Sequence, residues 1–232
     1  MGKKVIQKPS STERTGVKRS TTVPHSDESS RESLLTAGKR LFAEKGFDAT
    51  TVREISEAAG VNISLVSYYF NGKEGLFRTC LEKFGMARLA AAQRLLQPPK
   101  SSEELHVRLE MFIDEFFQSY LEEPDVTRII HRERDLNYGV TEDIFRKTFL
   151  KVFETLVGFV KAAQKGGFIS KELEADSTSS ILFGAIVHFT RIDLLNQKYL
   201  GHSLSDQKYR NKLSDHLIRI MLHGIQTEKK ES

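Results

Sequence analysis

The ten residues that follow Gly60 carry side chains whose chemistry suits contact with another molecule. They read VNISLVSYYF, with an asparagine, two serines and two adjacent tyrosines where a buried helix would carry leucines. Short amide and hydroxyl side chains can bond base edges or phosphates, and an isoleucine can contact a thymine methyl group. On a helix, the outward face of this stretch would consist of Asn62, Ile63, Ser64, Ser67 and Tyr68. The stretch is therefore suited to the major groove of DNA.

Two short helices joined by a glycine turn would position that face. Thr50 or Thr51 caps the earlier of these two helices, which is the second helix of the chain. Glu54 lies three residues after Thr51, at the capping-box spacing. Gly60 can adopt the left-handed backbone that a tight turn demands, and the next helix covers about residues 62–69. The apolar residues that the two helices share are Ile55, Ala59, Val61, Val66 and Phe70. This spacing predicts a helix–turn–helix.

Apolar residues recur at helical spacing from residue 31 onward, and no strand-like alternation of useful length appears. The first helix ends at Gly46, and Gln97-Pro98-Pro99 ends a long fourth helix that starts near Lys73. Later helices are predicted from residue 101 and at about 125–136, 141–164, 176–197 and 205–224. The predicted fold class is all-α, with a three-helix head, a larger helical unit and about nine helices in all.

The net charge of +4 is confined to the first third of the chain. Residues 1–83 contain 14 Lys and Arg against 10 Asp and Glu, whereas residues 84–232 contain 21 of each. An anionic partner would therefore meet the N-terminal part. Residues 1–30 are rich in Ser, Thr, Lys and Arg, and we expect a disordered basic tail there, either a solvated leader or a DNA-contacting arm.

The composition disfavours membrane and secreted classes. The best apolar run, residues 181–187, is far shorter than the ~20 residues of a membrane span. The N-terminus lacks the apolar segment of a secretory signal. A single cysteine, Cys80, fits a reducing cytosol and leaves two interpretations, an inert thiol or an oxidant sensor. We expect a cytoplasmic protein with no membrane partner.

Enzyme motifs are incomplete in this sequence. Gly72-Lys73 matches part of a phosphate-binding loop, but Ser67 and Glu74 stand where Gly and Ser or Thr are required. No nucleophile elbow or dinucleotide fingerprint is present. His131 and Asp135 lie one helical turn apart and supply only two metal ligands. We therefore expect no catalysis, no cofactor and no metal, and the rival class is a protein–protein adaptor with the helix–turn–helix as scaffold.

Three segments within residues 31–84 carry a family resemblance. They are AGKRLFAEKGF at 37–47, TTVREISEAAGV at 50–61 and YYFNGKEGLF at 68–77. On these segments the chain resembles the TetR family of transcriptional regulators. The resemblance implies a DNA-binding domain at 31–77 and a ligand-binding and dimerisation domain at 78–232. It further implies a homodimeric, nucleoid-associated prokaryotic repressor that leaves a palindromic double-stranded operator when an unknown small-molecule effector binds.

The resemblance also implies roles for individual residues of the head. Base contacts fall to Asn62, Ile63, Ser64 and Ser67. Thr51, Tyr68 and Tyr69 would approach the DNA backbone, and Arg53 belongs to the same DNA-binding set. Lys73 would pair with a phosphate at the positive end of the fourth helix. Because most members carry an aromatic residue at the position of Ser67, the resemblance implies no operator sequence.

The C-terminal half offers a dimer interface and a pocket. The eighth helix is apolar on several faces, which predicts either a four-helix interface with a second copy or a helix fully buried in the monomer. The predicted interface residues are Ile186, Phe189, Leu213, Leu217, Ile220 and Met221. Aromatic stripes with nearby polar groups predict a ligand pocket, with plain core or surface as the alternative. Its predicted residues are Phe112, Phe116, Arg128, His131, Phe149, Phe153 and His188.

Overall fold

The computed structural model of the protein describes residues 1–2, 27–135 and 139–224. Within these ranges the chain forms ten α-helices, one 3₁₀ turn (Gly139–Thr141) and no strand. The helices are α1 (Asp27–Lys45), α2 (Val52–Ala59), α3 (Ser64–Phe70), α4 (Lys73–Leu95), α5 (Ser102–Glu122), α6 (Pro124–Asp135), α7 (Glu142–Lys147), α8 (Phe149–Lys165), α9 (Ala175–Leu200) and α10 (Gln207–His223). The all-α fold class is confirmed.

Helices α1, α2 and α3 pack with the start of α4 around a first hydrophobic core. Phe42 and Phe77 are buried in it, and their rings meet edge-on with centroids 4.9 Å apart, an arrangement that aromatic pairs favour. Ile55 of α2 and Val66 of α3 are fully buried beside them. The two short helices therefore gain their stability from tertiary packing, since helices of seven or eight residues are marginal in isolation.

Helix α6 completes this first core although it lies beyond the head in sequence. Val126 and Ile129 are buried in the same cluster as the α1 and α4 side chains. The second core is formed by α4, α5, α8, α9 and α10, where Phe117, Leu156 and Ile186 are fully buried. The head and the larger unit thus share a boundary that two helices, α4 and α6, cross.

The nine predicted helices are present, but the seventh is divided into α7 and α8 at Thr148. Thr148 is buried, its backbone leaves the helical region (φ −122°, ψ −74°), and its hydroxyl donates to the Ile144 carbonyl at 2.7 Å. A Cβ at Gly85 would lie 2.5 Å from Thr148 Oγ1, so this break packs tightly on α4. The apolar stripe continues across the break, and the sequence pattern therefore gave no sign of it.

Helix α1 begins at Asp27, before the predicted head boundary at residue 31. Asp27 and Glu28 place negative charge at the positive end of the helix dipole, and Ser30 is buried. The prediction that residues 27–30 belong to a disordered tail is therefore wrong. The rest of the predicted tail, residues 3–26, lies outside the described residues.

Two features of the structure bear on the membrane class of protein and on the role of the single cysteine. By length and composition alone, α9 is the one helix in the described part of the chain that could cross a membrane, and only 28% of its most apolar window is buried. A helix that packs in a soluble protein passes the same test. Cys80 is buried, and burial raises the pKa of its thiol to about 12, so the thiol stays protonated, which favours the inert interpretation.

Candidate DNA-binding face and ligand cavity

A complete capping box begins α2. The Thr51 hydroxyl accepts a hydrogen bond from the Glu54 backbone N–H at 3.2 Å, and the Thr51 backbone N–H donates to the Glu54 carboxylate at 2.9 Å. The Thr51 hydroxyl also donates to Glu54 at 2.9 Å. Lys45 lies 2.5 Å from the same carboxylate, and with the Thr51 bonds it lowers the pKa of Glu54 to about 2. The Thr51 side chain is therefore held by the cap.

The turn between α2 and α3 depends on Gly60 and Asn62. Gly60 has φ +68°, a left-handed conformation that costs glycine little. Asn62 Oδ1 accepts hydrogen bonds from the Ser64 backbone N–H at 2.9 Å and from the Ser64 hydroxyl at 2.8 Å. Asn62 thus caps α3 with its oxygen, while its amide nitrogen keeps two N–H donors that the cap does not use.

The predicted outward face of α3 is exposed along its whole length. Ile63 is 50% exposed and Tyr68 is 72% exposed, and Asn62, Ser64 and Ser67 are exposed beside them. On the opposite side, Val66 and Phe70 are buried in the first core. An exposed isoleucine and tyrosine among short polar groups form a surface that another molecule can cover. The structure therefore brings these five predicted residues together on one face.

Two of the residues predicted to contact the DNA backbone, Tyr69 and Lys73, bond to groups within the protein. The Tyr69 hydroxyl donates to the Asp27 carboxylate, and this bond raises the pKa of Tyr69 to about 12. Lys73 Nζ donates to the carbonyls of Phe47 at 2.8 Å and Thr50 at 3.0 Å, with a third carbonyl, that of Asp48, at 3.5 Å. The structure places Lys73 against the α1–α2 turn, where its three donors are used. These carbonyl groups are distant from Lys73 in the sequence, so the spacing of residues could not predict these hydrogen bonds.

Arg53 and Lys73 differ in their availability to an anion. Arg53 is exposed on α2 and forms an ion pair with Glu57, with Nε and Oε1 2.8 Å apart. Such an exposed pair contributes little and opens readily. Lys73 also lies over the Phe47 ring, 4.3 Å from its centroid, in a cation–π contact. Arg53 is therefore the better placed cation for a phosphate.

Helix α4 approaches the end of α3 more closely than a side chain would allow. A Cβ at Gly75 would lie 1.7 Å from the Phe70 carbonyl oxygen, which no packing adjustment of a side chain can relieve. Asn71, with φ +58°, reverses the chain between the two helices. The position of α3 is therefore fixed relative to α4, which continues into the larger unit.

A cavity of about 300 Å³ lies between α4, α5, α6, α7, α8 and α9. Four of the predicted pocket residues line it: Phe116, His131, Phe149 and Phe153. Lining residues that the sequence analysis missed include Phe84, Arg88, Tyr120, Phe145, Phe183 and Thr190. The aromatic–basic pair at 84 and 88, one helical turn apart on α4, was a signal for two of them.

Three predicted pocket residues lie elsewhere. Phe112 is buried in the second core, whereas Arg128 forms a surface ion pair with Asp125, with Nη1 and Oδ1 3.4 Å apart. His188 is on the exposed side of α9, beside the Phe189 ring. Helical geometry explains the last two, because neighbouring positions point about 100° apart: Thr127 and Val187 line the cavity, and the residue after each points away.

The structure also contradicts part of the predicted dimer interface. Ile186 and Leu213 are buried inside the protomer, so their assignment to an interface with a second copy is wrong. Phe189, Leu217 and Met221 are half-buried against the second core, and Ile220 is exposed. The exposed apolar residues of α9 are instead Ile181, Leu194, Leu195, Tyr199 and Leu200. This protomer does not cover these side chains, four of which lie in the last two turns of α9.

Comparison with known proteins gives a consistent result. The family described as bacterial regulatory proteins, tetR family, matches residues 34–80. The chain is 26% identical over 134 residues to the probable HTH-type transcriptional regulator YttP of Bacillus subtilis, a match that spans 56% of this chain and 63% of YttP. It is 24% identical to the HTH-type transcriptional repressor BepR of Brucella suis over 68% of this chain and 78% of BepR.

The fold is shared with solved structures. The regulator FadR from Bacillus subtilis, in complex with stearoyl-CoA, superposes with a TM-score of 0.66 at 16% identity. The superposition covers 84% of this chain and 99% of FadR. At this identity the likeness concerns the fold, which extends across both the head and the larger helical unit.

Proposed function

Because the chain belongs to the TetR family of bacterial regulatory proteins, we propose that it represses transcription as a homodimer that a small-molecule effector releases from a palindromic operator. The observation that carries this proposal is the exposed face of α3, where Asn62, Ile63, Ser64, Ser67 and Tyr68 stand together. A helix of this size with short polar side chains fits the major groove of DNA.

Charge and side-chain availability support particular contacts. Asn62 offers two N–H donors to base acceptors, and Ile63 offers an apolar surface to a thymine methyl group. Arg53 on α2 and the Tyr68 hydroxyl on α3 are exposed, and both groups can donate to phosphates. Tyr69 and Lys73 support the face from behind through their bonds to Asp27 and to the α1–α2 turn.

The exposed apolar residues of α9 support the homodimer. Ile181, Leu194 and Tyr199 are each exposed by about 70% in the protomer, and Ile220 of α10 is exposed as well. A concentration of exposed large apolar side chains marks an interaction surface, and a twofold axis would pair α9 and α10 with their copies. A twofold dimer presents two α3 faces, and a palindromic duplex presents two matching half-sites.

Two helices connect the cavity with the head and support the effector role. On α6, Thr127 and Ile130 line the cavity, whereas Val126 and Ile129 belong to the first core. On α4, the cavity-lining segment continues directly from the segment that Gly75 holds against α3. A ligand that moves either helix therefore changes the position of the heads.

Polar contacts of α1 with α6 and with Glu123, the residue that precedes α6, strengthen the same connection. Lys39 Nζ donates to Glu123 Oε1 at 2.7 Å, and Arg132 Nη1 donates to the Phe42 carbonyl at 3.2 Å. Lys39 is largely buried, so its ion pair is screened less by solvent than a surface pair. Helix α1 consequently follows displacements of α6.

Selection of duplexes from a random library by the purified protein tests the proposal. We expect an enriched palindrome that binds an even number of chains, with an affinity that falls steeply as salt rises because phosphate contacts release counterions. A folded dimer that enriches no duplex, with or without candidate effectors, would overturn the proposal and favour the protein–protein adaptor.

A further inference from the structure

The charge of the cavity lining points to the kind of ligand that the cavity accepts. Among the described lining residues, the ionisable bases are Arg88 and His131, and no Asp or Glu belongs to the lining. Carboxylates that lie nearby, including those of Glu115 and Asp193, already have partners. Glu115 pairs with Arg88, and Asp193 accepts from the Leu204 backbone N–H at 2.7 Å. Among the described lining residues, the one that carries a fixed charge is therefore the cation Arg88.

The serine and threonine hydroxyls of the lining donate to backbone carbonyls. Ser119 donates to Phe116 at 2.7 Å, and Thr190 donates to Val187 at 2.8 Å. The third is the Thr127 hydroxyl, which donates to the Glu123 carbonyl at 3.2 Å. These groups offer no hydrogen to a ligand without breaking an existing bond. Of the remaining lining donors, the Tyr120 hydroxyl is directed at Asp193 Oδ2, 3.5 Å away, and the others belong to the two bases.

Arg88 has donor capacity that the protein leaves unused. Its Nη1 lies 3.0 Å from Glu115 Oε1, and its guanidinium lies over the Phe84 ring, 5.3 Å from the centroid. Its Nε is buried and has no hydrogen-bond partner. A buried donor without a partner is costly, and a guanidinium presents Nε and Nη2 side by side in a geometry that matches a carboxylate. Glu115 and Phe84 hold the group in place.

The size of the cavity limits the rest of the ligand. At roughly 30 Å³ for each water-sized group, 300 Å³ holds about ten such groups. The remaining lining consists largely of phenylalanine rings and aliphatic side chains, which favour a hydrocarbon body.

We propose that the cavity binds a small monocarboxylate of about ten non-hydrogen atoms in all, with an apolar body, and that Arg88 receives the carboxylate. The inference rests on the proposed function in taking this cavity as the effector site. The ligand class itself depends only on the cavity and is tested by binding.

Isothermal titration calorimetry of the full chain with decanoate, decanol and decylamine tests the charge preference, because the three probes share one hydrocarbon body. Decanoate is expected to bind about tenfold or more tightly than decanol. The free energy of a hydrogen bond to a charged group corresponds to a change in Kd of at least about this size. Decylamine is expected to bind more weakly than decanol. Equal affinity of the amine and the carboxylate, or no binding of any probe, overturns the proposal.

Variants of Arg88 test the assigned residue. Arg88→Met is expected to reduce the decanoate affinity to that of decanol and to leave decanol unchanged. Arg94→Met removes an exposed arginine from the same helix and should change neither. If Arg88→Met fails to fold, Arg88→Lys keeps a cation opposite Glu115, loses Nε, and is expected to narrow the decanoate–decanol ratio. An unchanged ratio in the folded variant overturns the role of Arg88.

The operator duplex separates this inference from the proposed function. Decanoate that binds through Arg88 without changing operator affinity upholds the ligand class and overturns the effector role of the cavity. If the dimer binds the operator but does not bind decanoate, the ligand class alone is overturned.

Discussion

The ammonium group of Lys73 lies 3.0 Å from the carbonyl oxygen of Thr50, across the gap between α4 and the turn before α2. The Phe47 carbonyl lies 2.8 Å from the same ammonium. A charged donor thereby joins carbonyls of the turn between α1 and α2, which lie outside both helices. Lys73 consequently positions the helix–turn–helix, a role different from the phosphate contact expected from the sequence.

Replacing Lys73 by Met tests this role. We expect the free energy of unfolding to fall by about 1–3 kcal/mol, because hydrogen bonds from a charged group are lost. DNA affinity should fall as well, with the salt slope nearly unchanged, since no phosphate contact is removed. Thermal denaturation and a salt series of binding titrations measure both. Lys83→Met on the same helix is the control, and a slope reduced by about one in Lys73→Met would restore the phosphate contact.

Two substitutions separate the capping role of the Asn62 side-chain oxygen from the donor role of its amide nitrogen. Asn62→Asp keeps the oxygen that caps α3, so stability should stay within about 0.5 kcal/mol, while the loss of two N–H donors and the new charge should abolish duplex binding. Asn62→Ala loses the cap and should cost about 1 kcal/mol and change the preference among duplexes. Duplex selection with each variant provides the readout. Unaltered binding by Asn62→Asp would remove Asn62 from the reading face.

Gly75 and Gly158 form a matched pair of helical glycines. A methyl group at Gly75 would collide with the Phe70 carbonyl, so Gly75→Ala should separate α3 from α4 and destabilise the protein by more than about 3 kcal/mol. A methyl group at Gly158 in α8 would meet no atom within 4 Å, and Gly158→Ala should gain up to about 1 kcal/mol. Denaturant unfolding compares them. Equal stability of the two variants would contradict the close approach.

Acid stability depends on the capping box of α2. The Glu54 carboxylate has its pKa lowered from 4.5 to about 2, first by Lys45 and then by Thr51. Because the folded-state pKa is depressed, this stabilisation is complete above about pH 4.5 and disappears as the pH falls toward 2. Wild type should therefore exceed Glu54→Gln in melting temperature at neutral pH and approach it near pH 2. A constant difference across this range would rule out the linkage; Glu82→Gln on α4 is the control.

The exposed apolar residues of α9 predict the oligomeric state. Leu194→Glu should convert a dimer into monomers, because each copy would bury a charge in the interface. Leu173→Glu changes an exposed leucine outside α9 and α10 and should leave the dimer intact. Sedimentation equilibrium measures the two. A dimer that survives Leu194→Glu would place the interface elsewhere.

Local features of the fold were predictable because they depend on neighbouring residues. The capping box at Thr51 and Glu54 and the left-handed turn at Gly60 lie where the sequence spacing placed them. The exposed face of α3 followed from the same helical period. Features that depend on distant parts of the chain were not predictable. The break at Thr148 arises from packing on α4, and Ile186 is buried because α9 turns one apolar side inward and leaves another exposed.

The contribution of α6 to the first core limits how freely this head can be exchanged. Val126 and Ile129 cover side chains of α1 and α4, so a fragment that ends near residue 77 would leave those side chains in water. A chimera that joins this head to the effector domain of a relative must therefore carry the matching surface of α6. The modular boundary of the protein is a surface between helices, and no single cut in the sequence separates its two parts.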